Sequence, residues 1–217
     1  MRAALFDMDR TLVREHTARL YTRYQRDLGE LSVWRYLRNS VWLLQYTLGR
    51  INAEHVAQLA LQDVVGRSET WMRERCAHWF RHNIEREITD TARRVVQEHQ
   101  ARGDLCVIVT AATRYVVEPV AASFGIEHIV CSEIEQRDGV FTGRFIPPLA
   151  YKEGKVQRMN AFAERHQISF AESCFYTDSI TDLPLLEAVG TPVAINPDSR
   201  LRHVAKQRQW RIEEWRI

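Results

Sequence analysis

Two carboxylates one residue apart, Asp7 and Asp9, close a short apolar run, Ala3-Ala4-Leu5-Phe6, with a hydroxyl following at Thr11. Side chains alternate along an extended chain, so both acids can project to one side where the strand frays. Like charges held that close repel unless a cation sits between them or one keeps a proton. A second pair, Asp178 and Asp182, follows another apolar run, Ser173 to Tyr176. Between the pairs, Leu105 to Val109 leads into Thr110-Ala111-Ala112-Thr113, a turn that can offer a hydroxyl and free backbone N–H groups to an anion. Lys155 opens a helix, where its charge opposes the helix dipole; an anion facing the ammonium would resolve that conflict. Lys152 is the competing lysine. Several carboxylates in one crevice need a hard cation, and all-oxygen ligation favours magnesium over zinc. A lysine and a hydroxyl beside them suit an anionic substrate such as a phosphate.

These residues need elements that bring them to one place. The runs at 3–6, 105–109, 126–130, 173–176 and 193–195 are too short for helices and read as buried strands. Helices alternate with them: Asp90 to Gln100 closed by Gly103, Arg114 to Phe124 closed by Gly125, one from Lys155, and one from Leu201 to Gln207. Such alternation predicts an α/β fold with a mainly parallel sheet covered on both faces. The carboxyl ends of its strands then share one edge, which is where these sheets bind ligands. Gln136 to Phe145 reads as a hairpin turned by Asp138-Gly139.

A block of helices interrupts this pattern directly after the first acid pair. Leu31, Trp34, Leu37, Val41, Leu44 and Leu48 mark one amphipathic face, and Val56, Leu59, Ala60 and Val64 a second. Ser68 is an N-cap for a third helix carrying Trp71, Arg75, His78, Trp79 and His82. His78 and His82 have the i, i+4 spacing of helical metal ligands, but nothing completes a ligand set, so a structural role is expected. The aromatic residues Trp34, Tyr36, Trp42, Tyr46, Trp71 and Trp79 suit a pocket for a larger alcohol; packing between helices is the expected role for most of them.

The 217 residues carry 27% charged and 45% hydrophobic side chains and a net charge of +2, which argues against a nucleic-acid surface. The four cysteines form no CxxC pair and read as buried reduced thiols, fitting a cytoplasmic protein. A basic segment followed by an apolar one is missing at the start, so no signal peptide is expected, and the stretch Val41 to Leu48 is far short of a membrane span.

Taken together, Asp7-Met8-Asp9-Arg10-Thr11, Thr110, Lys155 and Asp178-Ser179-Ile180-Thr181-Asp182 resemble the four motifs of the haloacid dehalogenase-like hydrolases. Helices inserted after the first motif, and the closing stretch from Ala194 through Trp210, are similar to the branch containing phosphoserine phosphatase. The resemblance implies a Rossmann-like three-layer core over residues 1–13 and 87–217, with a small all-helical cap over 14–86 that sets specificity. It also implies that Asp7 is the nucleophile, forming an aspartyl-phosphate, and that Asp9 is the general acid and then base. Magnesium would be held by Asp7, the Asp9 carbonyl and Asp178, with Asp182 in support; Thr110, Ala111 and Lys155 would bind the phosphate.

The implied activity is a phosphomonoesterase acting on a small phosphorylated metabolite, of the phosphoserine type or another amino-alcohol phosphate. In phosphoserine phosphatases an acid soon after the first motif helps hold the substrate amine. The matching position here is His16, with Glu15 one residue short of it, which weighs against phosphoserine itself. Arg10 and Thr177 also depart from the family pattern, which often has a small residue and a glycine there. A phosphotransferase using the same intermediate and a non-catalytic module binding phosphorylated ligands are the alternatives.

Overall fold

The computed structural model describes residues 1–30 and 61–215. The expected helical faces from Leu31 to Ala60, with Trp34, Tyr36, Trp42 and Tyr46, lie outside the described residues. Seven strands form one sheet: β1 (Ala3–Phe6), β2 (Leu105–Thr113), β3 (His128–Arg137), β4 (Val140–Ile146), β5 (Cys174–Thr177), β6 (Thr191–Ile195) and β7 (Arg211–Glu213). Their order is β4-β3-β2-β1-β5-β6-β7, and every neighbouring pair is parallel except the β3–β4 hairpin. From central β1 the chain builds outward to β2 and β3 on one side and to β5 and beyond on the other. The crevice at that reversal, between the carboxyl ends of β1 and β5, is the natural ligand site of such a sheet.

Period-two alternation lets β1 feed both faces. Ala4 and Phe6 join Ile108, Val96, Tyr176 and Ile195 in one apolar cluster, whereas Ala3 and Leu5 join Val107, Met159, Phe175 and Leu185 in the other. Helices α3 (Asp90–Ala101) and α4 (Arg114–Phe124) cover the first face. The second is covered by α5 (Glu153–His166), α6 (Leu183–Ala188) and α7 (Ser199–Gln207). Each fully buried large apolar side chain contributes about 1.5–3 kcal/mol to holding this sandwich together. A polar chain lies within the first face: His99 bonds Asp104 at 2.7 Å and the Tyr176 hydroxyl at 2.9 Å, and Arg2 pairs with Asp104.

Three elements differ from the reading of local pattern. The chain stays extended to Thr113 instead of turning at Thr110, because a register shift after Val109 lets the strand tip re-pair Thr113 with Ser132. β3 does not stop at Val130; Ser132 and Ile134 keep the alternation buried, and the strand leaves the parallel sheet to pair with β4. β7 was not expected, since a three-residue edge strand with charged ends has almost no apolar signature. The hairpin turn is as expected, with Asp138 and Gly139 both at positive φ, as a two-residue type I′ turn requires.

Within the inserted block, α1 (Thr17–Asp27) and α2 (Glu69–Trp79) are described, the latter capped by Ser68 Oγ accepting from the Trp71 N–H at 3.2 Å. Leu20, Tyr24, Trp79, Phe80 and Ile84 enter the first core cluster, and Leu61, Val64, Met72 and Cys76 pack on Tyr115, Ile134 and Phe141. Trp79 is therefore a packing residue, and the guanidinium groups of Arg67 and Arg75 lie over the Trp71 ring, 4.9 and 5.1 Å from its centroid. The His78 and His82 rings stack at 4.0 Å instead of converging on a point, and His82 Nδ1 donates to the His78 carbonyl. All four cysteines are free and buried, and loss of hydration pushes the Cys131 and Cys174 thiols up to about 11. Among the described residues no helix is long and apolar enough to cross a membrane.

Candidate active site

β1 ends at Phe6, and the next N–H, that of Asp7, is held by the Tyr176 carbonyl on β5 at 2.9 Å. The chain then folds back on itself. The Met8 carbonyl accepts from the N–H groups of Leu12 and Val13, and Arg10 at the apex takes a left-handed φ of 58°. This tight loop separates the two acids. Asp7 stays buried at the strand tip, while Asp9 turns toward the inserted helices with about a quarter of its side chain exposed. There Asp9 Oδ1 accepts from the Thr17 N–H at 3.0 Å, so the carboxylate satisfies the first free N–H of α1. His16 precedes that helix without capping it by its own side chain, and its Nδ1 lies 4.0 Å from Asp9 Oδ2. Glu15 instead pairs with Arg19 one turn on.

Lys155 reaches the same notch from the first turn of α5 and is 3% exposed. Its ammonium is 3.0 Å from Asp7 Oδ1 and 2.6 Å from Asp182 Oδ1, so the cation in an unfavourable helix position faces two anions of the protein itself. Lys152 sits at the N-cap and directs its ammonium to the Tyr151 ring. The second oxygen of Asp182 accepts from the Thr177 hydroxyl at 2.7 Å.

Asp178 follows β5 and is buried; Arg10 Nε stands 3.0 Å from its Oδ2. Its loop is clamped by Asp198, which donates its N–H to the Asp178 carbonyl and accepts from the N–H groups of Ile180, Arg200 and Leu201. Thr110 is buried on β2, beside β1, with its hydroxyl accepting from the Ala112 N–H at 3.2 Å; Ala111 next to it is half-buried. The fold thus unites Asp7, Lys155 and Asp182 by direct contact. Asp9 and Asp178 lie in the loops that follow β1 and β5, and Thr110 and Ala111 sit at the same sheet edge on β2. Arg10, Thr177 and Asp198 are the site neighbours that the sequence reading did not assign. Arg10 and Thr177 stood out only as departures from the family pattern, and Asp198 as an N-cap acid before α7.

Electrostatics follow from this burial. Loss of hydration pushes Asp7 up to about 7, against the pull of Lys155 and with added repulsion from Asp182 and Asp9. Asp9 is raised for the same first reason, opposed by His16 and the Thr17 N–H. Asp178 is raised well above the usual carboxylate range by burial and then by Asp7, with Arg10 acting the other way. Burial alone would lower Lys155, but Asp182 and Asp7 more than offset it and keep the ammonium charged. Burial lowers His16, so the ring favours its neutral form.

A family profile described as haloacid dehalogenase-like hydrolase matches residues 4–187. The chain belongs to the haloacid dehalogenase-like hydrolases. Among relatives of this hydrolase, a histidinol-phosphatase of Neisseria meningitidis is 30% identical over 214 residues, covering 96% of both chains. A phosphoserine phosphatase of Mycobacterium tuberculosis is 33% identical over 227 residues, covering 99% of this chain and 71% of that protein. A crystal structure from Bordetella pertussis, of a protein with unknown function, superposes with a TM-score of 0.89 at 34% identity and 97% coverage of each chain.

Burial first, and mutual repulsion after it, raise Asp7, Asp9 and Asp178, and a cation among them would offset both costs. Among the described residues, no three His, Cys, Asp or Glu side chains converge as a ready-made metal cage. Magnesium needs none, because it keeps several waters and binds through one or two carboxylates. Two carboxylates and a backbone carbonyl therefore fit it.

Proposed function

We propose that this hydrolase is a magnesium-dependent phosphomonoesterase acting on a small amino-alcohol phosphate through an aspartyl-phosphate on Asp7. The observation that carries this reading is the buried Asp7 carboxylate, held at 3.0 Å by Lys155, with a second acid two residues on whose pKa burial raises. Asp7 attacks phosphorus and the ester P–O bond breaks. Asp9, whose raised pKa suits a proton donor, protonates the leaving oxygen. Asp9 then takes a proton from water as that water attacks the phosphorus of the acyl phosphate, releasing inorganic phosphate and regenerating Asp7. Lys155, the Thr110 hydroxyl and the Ala111 N–H receive the non-bridging oxygens. Asp7, Asp178 and the Asp9 carbonyl would hold magnesium, whose charge offsets repulsion between the nucleophile and phosphate. Phosphoryl transfer is chiefly positioning and electrostatics, so this set is sufficient.

Residues 1–13 and 87–217 form the catalytic unit in this reading, and 14–86 the segment that shapes the leaving-group pocket. The Thr17 N–H on Asp9 supports a direct link between that segment and the acid. Support for the substrate class comes from the two relatives: phosphoserine and histidinol phosphate are both phosphate esters of an amino alcohol.

The test is phosphate release from an aryl phosphate, histidinol phosphate and phosphoserine with and without magnesium. Turnover is expected to need the metal, to drop by at least about a thousandfold in Asp7→Asn, and to favour an amino-alcohol phosphate over the aryl ester. Full activity in Asp7→Asn would falsify the nucleophile assignment.

A further inference from the structure

Thr177 is the last residue of β5 and is fully buried. Its hydroxyl donates to Asp182 Oδ2 at 2.7 Å and accepts from the Ser179 N–H at 3.3 Å. The other Asp182 oxygen lies 2.6 Å from Lys155 Nζ, and that ammonium lies 3.0 Å from Asp7 Oδ1. Four buried side chains thus run in series: Thr177, Asp182, Lys155, Asp7. A carboxylate held by one contact still rotates about its last torsion, which is broad for Asp. Held on both oxygens by groups from different elements, its plane is fixed. The hydroxyl fixes one edge of the Asp182 carboxylate, and the opposite edge then sets where the flexible lysine stem ends.

Resting on the reading above, we propose that Thr177 is a positioning residue for phosphoryl transfer. It orients Asp182 so that Asp182 holds Lys155 against Asp7. Asp182 then serves the lysine and not the cation, since both of its oxygens are engaged within the protein. The Thr177 hydroxyl bonds Asp182 and Ser179 and neither the nucleophile nor Lys155, so its effect passes through Asp182.

The experiment measures aryl-phosphate hydrolysis with magnesium for the full chain and for Thr177→Val, Thr177→Ser, Asp182→Asn and the double variant Thr177→Val/Asp182→Asn, alongside their unfolding midpoints. An ammonium misplaced by about an ångström costs on the order of ten- to a hundredfold in rate. Thr177→Val is therefore expected to lose at least about tenfold in kcat with KM changed by less than about twofold, while Thr177→Ser recovers the wild-type rate to within about twofold. The double variant is expected to be no slower than Asp182→Asn, because residues acting as one unit are not additive. If the valine variant does not fold, Thr177→Ala takes its place in the same comparison. A valine variant as fast as wild type, a serine variant as slow as valine, or losses that multiply in the double variant would each overturn the proposal alone. A wild-type protein that hydrolyses nothing would overturn the phosphomonoesterase reading, and this one with it.

Discussion

Arg10 Nε lies 3.0 Å from Asp178 Oδ2, a pairing of a side chain 41% exposed with one only 8% exposed. The guanidinium comes from the apex of the loop that separates Asp7 from Asp9, held there by a left-handed backbone at a non-glycine residue. The cation of this loop thus stands on the carboxylate that the proposed mechanism gives to magnesium. Ion pairing and metal binding at Asp178 become competing events.

Arg10→Gln should therefore bind magnesium more tightly than wild type. A partly exposed ion pair contributes up to about 1 kcal/mol, so the gain is at most about fivefold in Kd. Isothermal titration of the metal into each protein reads this without any turnover. An unchanged or weaker affinity in Arg10→Gln would show that Arg10 is not a competitor for Asp178.

The acid cluster gives stability a pH dependence of definite sign. Asp7, Asp9 and Asp178 all have folded pKa values above those of the unfolded chain, so between about 4 and about 7 the folded metal-free protein holds more protons. The cluster's contribution to stability then falls as pH rises through that window. In the proposed mechanism magnesium binds the ionised carboxylates, so its stabilising shift in Tm is expected to be several degrees larger at pH 8 than at pH 5. Thermal unfolding at both pH values, with and without the metal, measures it; an equal shift at both would contradict cation binding to these acids.

His16 stands beside Asp9 yet at 4.0 Å makes no hydrogen bond to it, and burial favours its neutral form. The proposed function therefore assigns it to the leaving-group pocket and not to the support of Asp9. His16→Ala is expected to change the ratio of kcat/KM for histidinol phosphate over an aryl phosphate by about tenfold or more, with aryl-phosphate turnover within about threefold of wild type. An equal loss on both substrates would assign His16 to the support of Asp9 instead.

Much of the fold follows from local pattern. Ala3 to Phe6 is apolar at every position because both faces of β1 are covered, and that run, with its abrupt acid end, is visible in the chain alone. Asp138-Gly139 specifies its turn through backbone preference, and Ser68 and Gly125 mark helix ends in the same way. The continuation of β2 through Thr110 is not visible, because a register shift depends on the neighbouring strand and not on the residues that shift.

Residue types and order determined the acid pairs, the parallel sheet that must present them on one edge, and the family to which they belong. Tertiary structure alone decided which charges meet. Lys155, not Lys152, enters the notch although the two are only three positions apart, and it meets Asp7 across 148 positions. Asp182 takes Lys155 and Thr177, and Arg10 takes Asp178. Propensity acts over a helical turn or a strand, whereas ion pairing acts through space over a few ångströms. Only the packed sheet, by setting which strand tips are neighbours, could choose among the partners.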